Sequence, residues 1–248
     1  MNGVRFDFRQ ARVAVTGGTS GIGFEVATRF AEAGAIVTVT GRRPSAADYE
    51  VDLTKFAYAQ CELADPTSVE AFAERLPALD VLVNNAGATF PAGRDEWDPV
   101  GFADALTANL AGTMRLSVRC REALATSSLT GGASVVNIVS MASFRAAQFV
   151  PGYASAKAGL GALTMNLARH WVGDGIRVNA VAPGFTATGL TELAMGIPEV
   201  MEAEMRHTPM GRPAAPADIA GTVLFLCTDA ASYVTGATFA VDGGYLLV

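Results

Sequence analysis

Cysteine and histidine are scarce in this chain. The three cysteines, Cys61, Cys120 and Cys227, are odd in number, far apart and not at metal-ligand spacing. They exclude a disulfide framework and fit buried thiols in a reducing compartment. The two histidines, His170 and His207, read as packing or surface residues, and no metal is expected. Clustered positive charge is missing too. The net charge is −6, from 18 basic and 24 acidic residues. No basic cluster exceeds Arg42-Arg43, which argues against nucleic acid as a partner. No apolar run approaches about 18 residues, and the N-terminus carries no apolar leader core. The expectation is a cytoplasmic protein with no membrane partner. Linkers, repeats and low-complexity tracts are also missing, so residues 1–248 are expected to form one domain.

What is present is enough apolar sequence for a large core, 50% of residues against 17% charged. Strand-like runs fall at 13–16, 36–40, 56–60, 81–84, 135–140, 177–181 and 239–241. Helical patterns lie between them at about 21–33, 67–75, 101–125, 152–172 and 216–227. Such alternation predicts an α/β fold, a doubly wound, mainly parallel sheet of seven strands with helices on both faces. Ligands of such sheets sit beyond the carboxyl ends of the strands.

The first strand runs into Gly17, Gly18, Gly21 and Gly23 and then into a helix closed by Gly34. Strand, glycine-rich turn and helix make a pyrophosphate site. The glycines allow a sharp turn and close approach, and the helix start offers free N–H groups and a positive dipole end. Gly17, Thr19, Ser20, Gly21, Ile22 and Gly23 are the candidate contacts. The alternative is a glycine-rich turn without a ligand.

The second strand ends in Thr40-Gly41-Arg42-Arg43. An acidic residue there would accept bonds from the adenosine ribose and repel a 2′-phosphate. Glycine followed by two arginines favours NADP(H), with NAD(H) as the alternative. Arg42 and Arg43 as solvated loop charges remain an open reading. The segment 44–57 carries three acids and is expected to hold only a stunted helix. Glu62 and Leu63 at the third strand end are candidates for the adenine; Glu62 as a helix cap is the alternative. Asn84-Asn85-Ala86-Gly87 ends the fourth strand; its two adjacent amides could tie neighbouring strands together and lock the floor of a nucleotide site, with Asn85, Ala86 and Gly87 as candidate cofactor contacts. A plain polar turn is the competing reading.

Taken together with Asn109, Ser140, Tyr153-x-x-x-Lys157, Pro183-Gly184-x-x-x-Thr188 and Val241-Asp242-Gly243-Gly244, these motifs resemble the short-chain dehydrogenase/reductase superfamily, in family order and from about residue 10 to the C-terminus. The arrangement is similar to 3-oxoacyl-carrier-protein reductases and to bacterial alcohol and polyol dehydrogenases. It departs in the short 44–57 segment and in Glu62, where the family usually has Asp. The resemblance implies an NAD(P)(H)-dependent oxidoreductase that interconverts a secondary alcohol and a ketone. It also implies a homotetramer or homodimer.

Spacing i, i+4 puts Tyr153 and Lys157 on one helix face. An ammonium beside a phenol is expected to lower its pKa and fit it for proton exchange with a substrate hydroxyl. Ser140 would hydrogen-bond the substrate oxygen. By resemblance, Lys157 also holds the nicotinamide ribose and Asn109 holds a water relaying protons. Pro183, Gly184, Thr186 and Thr188 would hold the carboxamide end. Residues 189–212, rich in methionine, are expected to form a mobile substrate lid over an apolar pocket. Phe144, Gln148, Phe149, Phe185 and Leu193 are its candidate walls, and Arg145 is the one cation whose direction the sequence leaves open. Two further readings stay open: a carrier-protein-linked 3-oxoacyl thioester as substrate, and a dinucleotide-binding sensor or scaffold without turnover.

Overall fold

The computed structural model describes residues 4–248. Seven parallel strands form one sheet in the order β3-β2-β1-β4-β5-β6-β7. They are β1 (Arg12–Val15), β2 (Ile36–Gly41), β3 (Ala57–Gln60), β4 (Val81–Asn84), β5 (Ala133–Ile138), β6 (Ile176–Pro183) and β7 (Thr238–Val241). β4, β5 and β6 are buried along their whole length, as strands covered on both faces must be. The chain winds outward from β1 to β3 and then crosses back to β4. The switch point therefore lies between the carboxyl ends of β1 and β4.

One face of the sheet packs against α1 (Gly21–Glu32) and α9 (Pro216–Leu226), around Phe30, Val26, Ile219 and Val223. The other packs against α2 (Pro66–Ala73), α4 (Gly112–Arg119) and α6 (Pro151–Trp171), around Phe72, Leu116, Leu124 and Trp171. Gly34, in the left-handed region at φ 90°, ends α1 where the sequence places its stop. Segment 44–57 holds only a single short turn, Ala46–Asp48, closed by Ser45 and Asp48.

Two differences from the sequence reading matter for the site. The helix expected at 101–125 is broken into α3 (Pro99–Leu106), a wide π turn at Thr107–Ala111, α4 and α5 (Arg121–Ala125). Hydrophobic periodicity does not register the one-residue excess of a π turn, and such turns gather at functional sites. Second, β5 stops at Ile138, so Ser140 lies beyond the strand and begins the short turn Met141–Ser143.

Buried amides tie the layers together. Asn84 Nδ2 on β4 donates to Asn137 Oδ1 on β5 (2.8 Å) and to Ser117 Oγ on α4 (2.9 Å). Asn137 Nδ2 donates to Thr164 Oγ1 on α6 (2.8 Å). Replacing Asn137 with Ala removes both partners from a buried chain of bonds, at about 2–3 kcal/mol. The expected thermal midpoint falls by roughly 5–10 °C for a chain of this size. A shift under about 1 °C in a melting experiment would show that the network contributes nothing to stability.

Candidate active site

The turn after β1 is built to sit close to something. Gly17 and Gly21 have φ of 63° and 52°, a region glycine enters without strain. A Cβ on Gly23 would lie 2.3 Å from Asn85 Nδ2 and 2.4 Å from Gly17 O. Gly23 is thus a packing glycine and does not reach the cleft. Gly17, Thr19, Ser20, Gly21 and Ile22 do line it. Ser20 precedes α1 but makes no side-chain cap bond, so the helix leaves its first amides free towards the cleft.

Asn85 joins the two strands at the switch point. Its Nδ2 donates to Thr16 O (3.0 Å) and Gly17 O (3.2 Å). The Thr16 hydroxyl accepts from the amides of Asn85 and Ala86, both at 3.0 Å. Ala86 and Gly87 line the cleft beside them. The cleft encloses about 1150 Å³, larger than the usual small-ligand pocket and roomy enough for a dinucleotide with a substrate.

At the outer end of the cleft, β2 stops at Gly41. A Cβ there would lie 2.2 Å from the Tyr49 hydroxyl, so a side chain at this position has to displace Tyr49. The two arginines differ. Arg43 is bound into its own loop: it donates to the Asp48 carbonyl, stacks 5.1 Å over the Tyr49 ring and its amide donates to Tyr49 Oη (2.9 Å). Among the described residues the Arg42 guanidinium has no hydrogen-bond or ion-pair partner, and Arg42 lines the cleft. Glu62 and Leu63 line it as well. Glu62 does not cap α2, whose cap is Asp65 through Thr67 N–H (2.9 Å); its Oε1 accepts from Ala64 N–H (3.2 Å).

The chemistry-bearing residues meet at the inner end. Ser140 Oγ accepts from Ala142 N–H (3.1 Å), which leaves its own proton free. Tyr153 and Lys157 share a face of α6, with Lys157 Nζ 5.7 Å from the Tyr153 ring centre. Lys157 is buried, and its Nζ donates to Ile138 O at the end of β5 (2.7 Å). Asn109 is fully buried in the π turn. Its Nδ2 donates to Ala88 O and Ala105 O, and its Oδ1 accepts from Ala88 N–H, each at 2.9 Å. One lone pair on Oδ1 stays free, facing Gly87, where a Cβ would lie 2.9 Å from Oδ1 and 3.2 Å from Lys157 Nζ.

One electrostatic expectation is corrected. The Tyr153 phenol is pushed above its ordinary value, not below. Burial is the main cause, the Ser140 hydroxyl pulls the other way, and the Glu96 carboxylate adds to the rise. Burial also lowers Lys157, from 10.5 to about 8. The ammonium is held against a backbone carbonyl and over the ring, so desolvation dominates both groups.

The substrate walls are mixed. Gln148, Phe149 and Phe185 line the cleft, as do Pro183, Gly184, Thr186 and Thr188. Phe144 and Leu193 do not; Phe144 edges a separate shallow depression beside Trp97, and Leu193 is 88% exposed. Aromatic and leucine content in a loop gives no direction, and both chains turn outward. Arg145 faces the cleft, stacked 5.4 Å over the Tyr245 ring, and Glu204 faces it too. The wall is therefore not wholly apolar. Residues 189–212 form a helical excursion with α7 (Glu192–Met195) and α8 (Pro198–Arg206). His170 and His207 are exposed and Trp171 is core. Sequence reasoning missed Tyr49 and the fully buried Glu96; nothing in the spacing of either signals its place.

Comparison with known proteins agrees with this geometry. The family model described as Enoyl-(Acyl carrier protein) reductase matches residues 17–246. A galactitol 2-dehydrogenase (L-tagatose-forming) of Cereibacter sphaeroides is 37% identical over 95% of this chain and 94% of its own. A 3alpha-hydroxysteroid dehydrogenase of Mediterraneibacter gnavus is 35% identical over 92% of this chain and 94% of its own. The crystal structure of a candidate NAD(P)-dependent gluconate 5-dehydrogenase from Beutenbergia cavernae, with NADP bound at low occupancy, superposes with a TM-score of 0.85. It is 35% identical and covers 99% of this chain and 100% of that one.

The lowered Lys157 has a consequence for stability. Below about pH 8 the lysine is charged in both states, and the fold carries the cost of burying it. Between about 8 and 10.5 the folded lysine is neutral while the unfolded one still holds its proton, so stability rises with pH. Relative to Lys157→Met, the wild type should gain roughly 2 kcal/mol between about pH 7 and pH 9.5 in denaturant titrations. A flat difference would place the Lys157 pKa at its ordinary value.

Proposed function

The chain belongs to the short-chain dehydrogenase/reductase superfamily, and on that footing we propose that it interconverts a secondary alcohol and a ketone with NADP(H), using Ser140, Tyr153, Lys157 and Asn109. The observation that carries this reading is the meeting of a free serine hydroxyl, a phenol and a buried ammonium at the inner end of a dinucleotide-sized cleft. The nicotinamide supplies or accepts hydride when bound. The uncapped start of α1 with Gly17, Thr19, Ser20, Gly21 and Ile22 would hold its pyrophosphate, Asn85, Ala86 and Gly87 its ribose side, and Pro183, Gly184, Thr186 and Thr188 its carboxamide side.

Ser140 donates a hydrogen bond to the substrate oxygen and fixes the carbonyl. Tyr153 gives its phenolic proton to that oxygen as negative charge develops there. The raised phenol suits this direction, since it stays protonated at neutral pH. Lys157, next along the face, would hold the ribose hydroxyls and pass a proton back to the Tyr153 phenolate, drawn from water held at the free lone pair of Asn109. Segment 189–212 closes over the substrate, with Gln148, Phe149 and Phe185 as walls. The relatives named above act on a polyol and a steroid, so a small alcohol or ketone is the class this reading supports. Apolar residues exposed on α4 (Met114, Val118) and on α6 (Met165) support assembly as a homotetramer or homodimer. The three buried free thiols fit a cytoplasmic setting.

A panel of ketones and secondary alcohols with both cofactors tests the reading. Tyr153→Phe should lower turnover by about 10²–10⁴-fold, with NADPH binding by fluorescence titration within about threefold of wild type. Cofactor binding with no turnover by wild type across the panel would favour a dinucleotide-binding sensor instead.

Cofactor choice has its own measurement. Arg42 is free where Arg43 is not, and Gly41 carries no carboxylate to repel a 2′-phosphate. Arg42→Ala should weaken NADP⁺ binding by about 10- to 100-fold and leave NAD⁺ nearly unchanged. Equal loss for both, or none, would remove the argument for NADP(H).

A further inference from the structure

The helix that carries Tyr153 and Lys157 starts without a cap of its own. Val150 precedes it and offers no side-chain bond, and Pro151 at its first position has no N–H. The free amide of Tyr153 is satisfied from elsewhere: it donates to Glu96 Oε2 at 2.7 Å. Glu96 lies in the loop between β4 and α3 and is fully buried. Its other oxygen, Oε1, accepts from the Phe90 amide at 2.9 Å. Among the described residues no cation pairs with this carboxylate. Two backbone N–H groups and the positive end of a 21-residue helix stabilise its charge instead.

The loop it holds is strained and faces the substrate. Phe90 and Ala92 both sit in the left-handed region, at φ 46° and 56°. Pro91, Ala92 and Arg94 line the cleft. Trp97, next to Glu96, adds a second tie, its Nε1 donating to Gln148 O (2.9 Å) just before α6. Gly152 leaves the space the carboxylate needs; a Cβ there would lie 3.2 Å from Oε2 and 2.8 Å from the Ala105 side chain.

We propose that Glu96 is the positioning residue of this site: it caps α6 from the loop after β4, sets where Tyr153 stands relative to Ser140, and couples that helix to the strained loop on the substrate side. The inference rests on the reading of Tyr153 as the proton donor. Besides fixing the backbone, the Glu96 carboxylate adds, behind burial, to the rise of the phenol. The other charged groups facing this corner are Lys157, over the Tyr153 ring, and the Arg94–Asp104 pair, which neutralises itself. Asp95 and Asp98 are occupied by the amides of Trp97, Val100 and Gly101.

Charge and geometry separate in two variants. Glu96→Gln keeps the size but can accept from only one of the two amides and loses the charge. Its kcat for ketone reduction should fall about 10- to 100-fold, as expected for a misplaced proton donor, with NADPH binding within about threefold. The midpoint of the pH profile for alcohol oxidation should move down by about half a unit or more, because removal of a neighbouring negative charge favours the phenolate. Glu96→Asp keeps the charge but is too short to bridge both amides; kcat should fall while the pH midpoint stays at the wild-type value. Circular dichroism and cofactor titration identify folded protein, and the aspartate variant serves if the glutamine one does not fold. A folded Glu96→Gln with wild-type kcat, or both variants slow with the same unshifted midpoint, overturns the proposal. Wild-type turnover by Tyr153→Phe would instead overturn the reading beneath it.

Discussion

A helix packed across a strand can slide, and in this protein that sliding is removed at three heights. Thr164 on α6 accepts from Asn137 in the middle of the sheet at 2.8 Å. One level up, Lys157 Nζ reaches the carbonyl of Ile138, the last residue of β5, at 2.7 Å. At the helix start Glu96 receives the amide of Tyr153 at 2.7 Å. Two of these contacts are buried and the third partly so, and leaving a buried partner unmade costs more than making it gains. Together they fix the phenol over the carboxyl edge of the sheet to within a fraction of a helical turn. The proton transfer proposed for Tyr153 depends on that register.

The same contacts explain the electrostatics. Lys157 sits in the fold with a backbone carbonyl as its direct partner, and Glu96 sits in it with backbone amides as its own. Neither forms a direct ion pair with the other. Peptide groups are the partners of both, and burial shows through at the lysine and the phenol: the lysine drops to about 8 and the phenol rises. A short carboxylate–ammonium pair would have left both charges settled and chemically quiet. With the two charges apart, the ammonium stays over the Tyr153 ring with no carboxylate paired to it.

This division also sets what the sequence disclosed. The alternation of strands and helices, the glycine turn and the shared helix face of Tyr153 and Lys157 follow from local patterns, because periodicity, φ-demanding glycines and an i, i+4 spacing are properties of a few adjacent residues. Asn84 as a tie between strands was legible for the same reason. The π turn around Asn109 was not, since one extra residue in a helix leaves its apolar pattern nearly intact. Glu96 lies 57 residues from its partner Tyr153 and looks like any surface acid in a polar loop. Phe144 and Leu193 turn away from the cleft, and their direction is set by the local backbone, a turn for one and α7 for the other, which composition does not encode. The direction of the phenol's shift was missed because desolvation is a property of the packed site, whereas spacing reports only proximity.

At the outer end of the cleft, the volume around Gly41 acts before charge does. Gly41 ends β2 with its missing side chain replaced by the Tyr49 hydroxyl, which also receives the Arg43 amide. The Tyr58 hydroxyl closes the same loop on the Arg43 carbonyl. An aspartate at position 41 would therefore have to displace a tyrosine that holds the loop, a larger change than one carboxylate. Because Tyr49 and Asp48 hold Arg43, the guanidinium left to meet an anion is Arg42, whose own carbonyl is fixed by Gln60 Nε2 at 2.8 Å. The pair of arginines in the sequence is thus one structural residue and one free charge. The loop's tyrosines decide which is which.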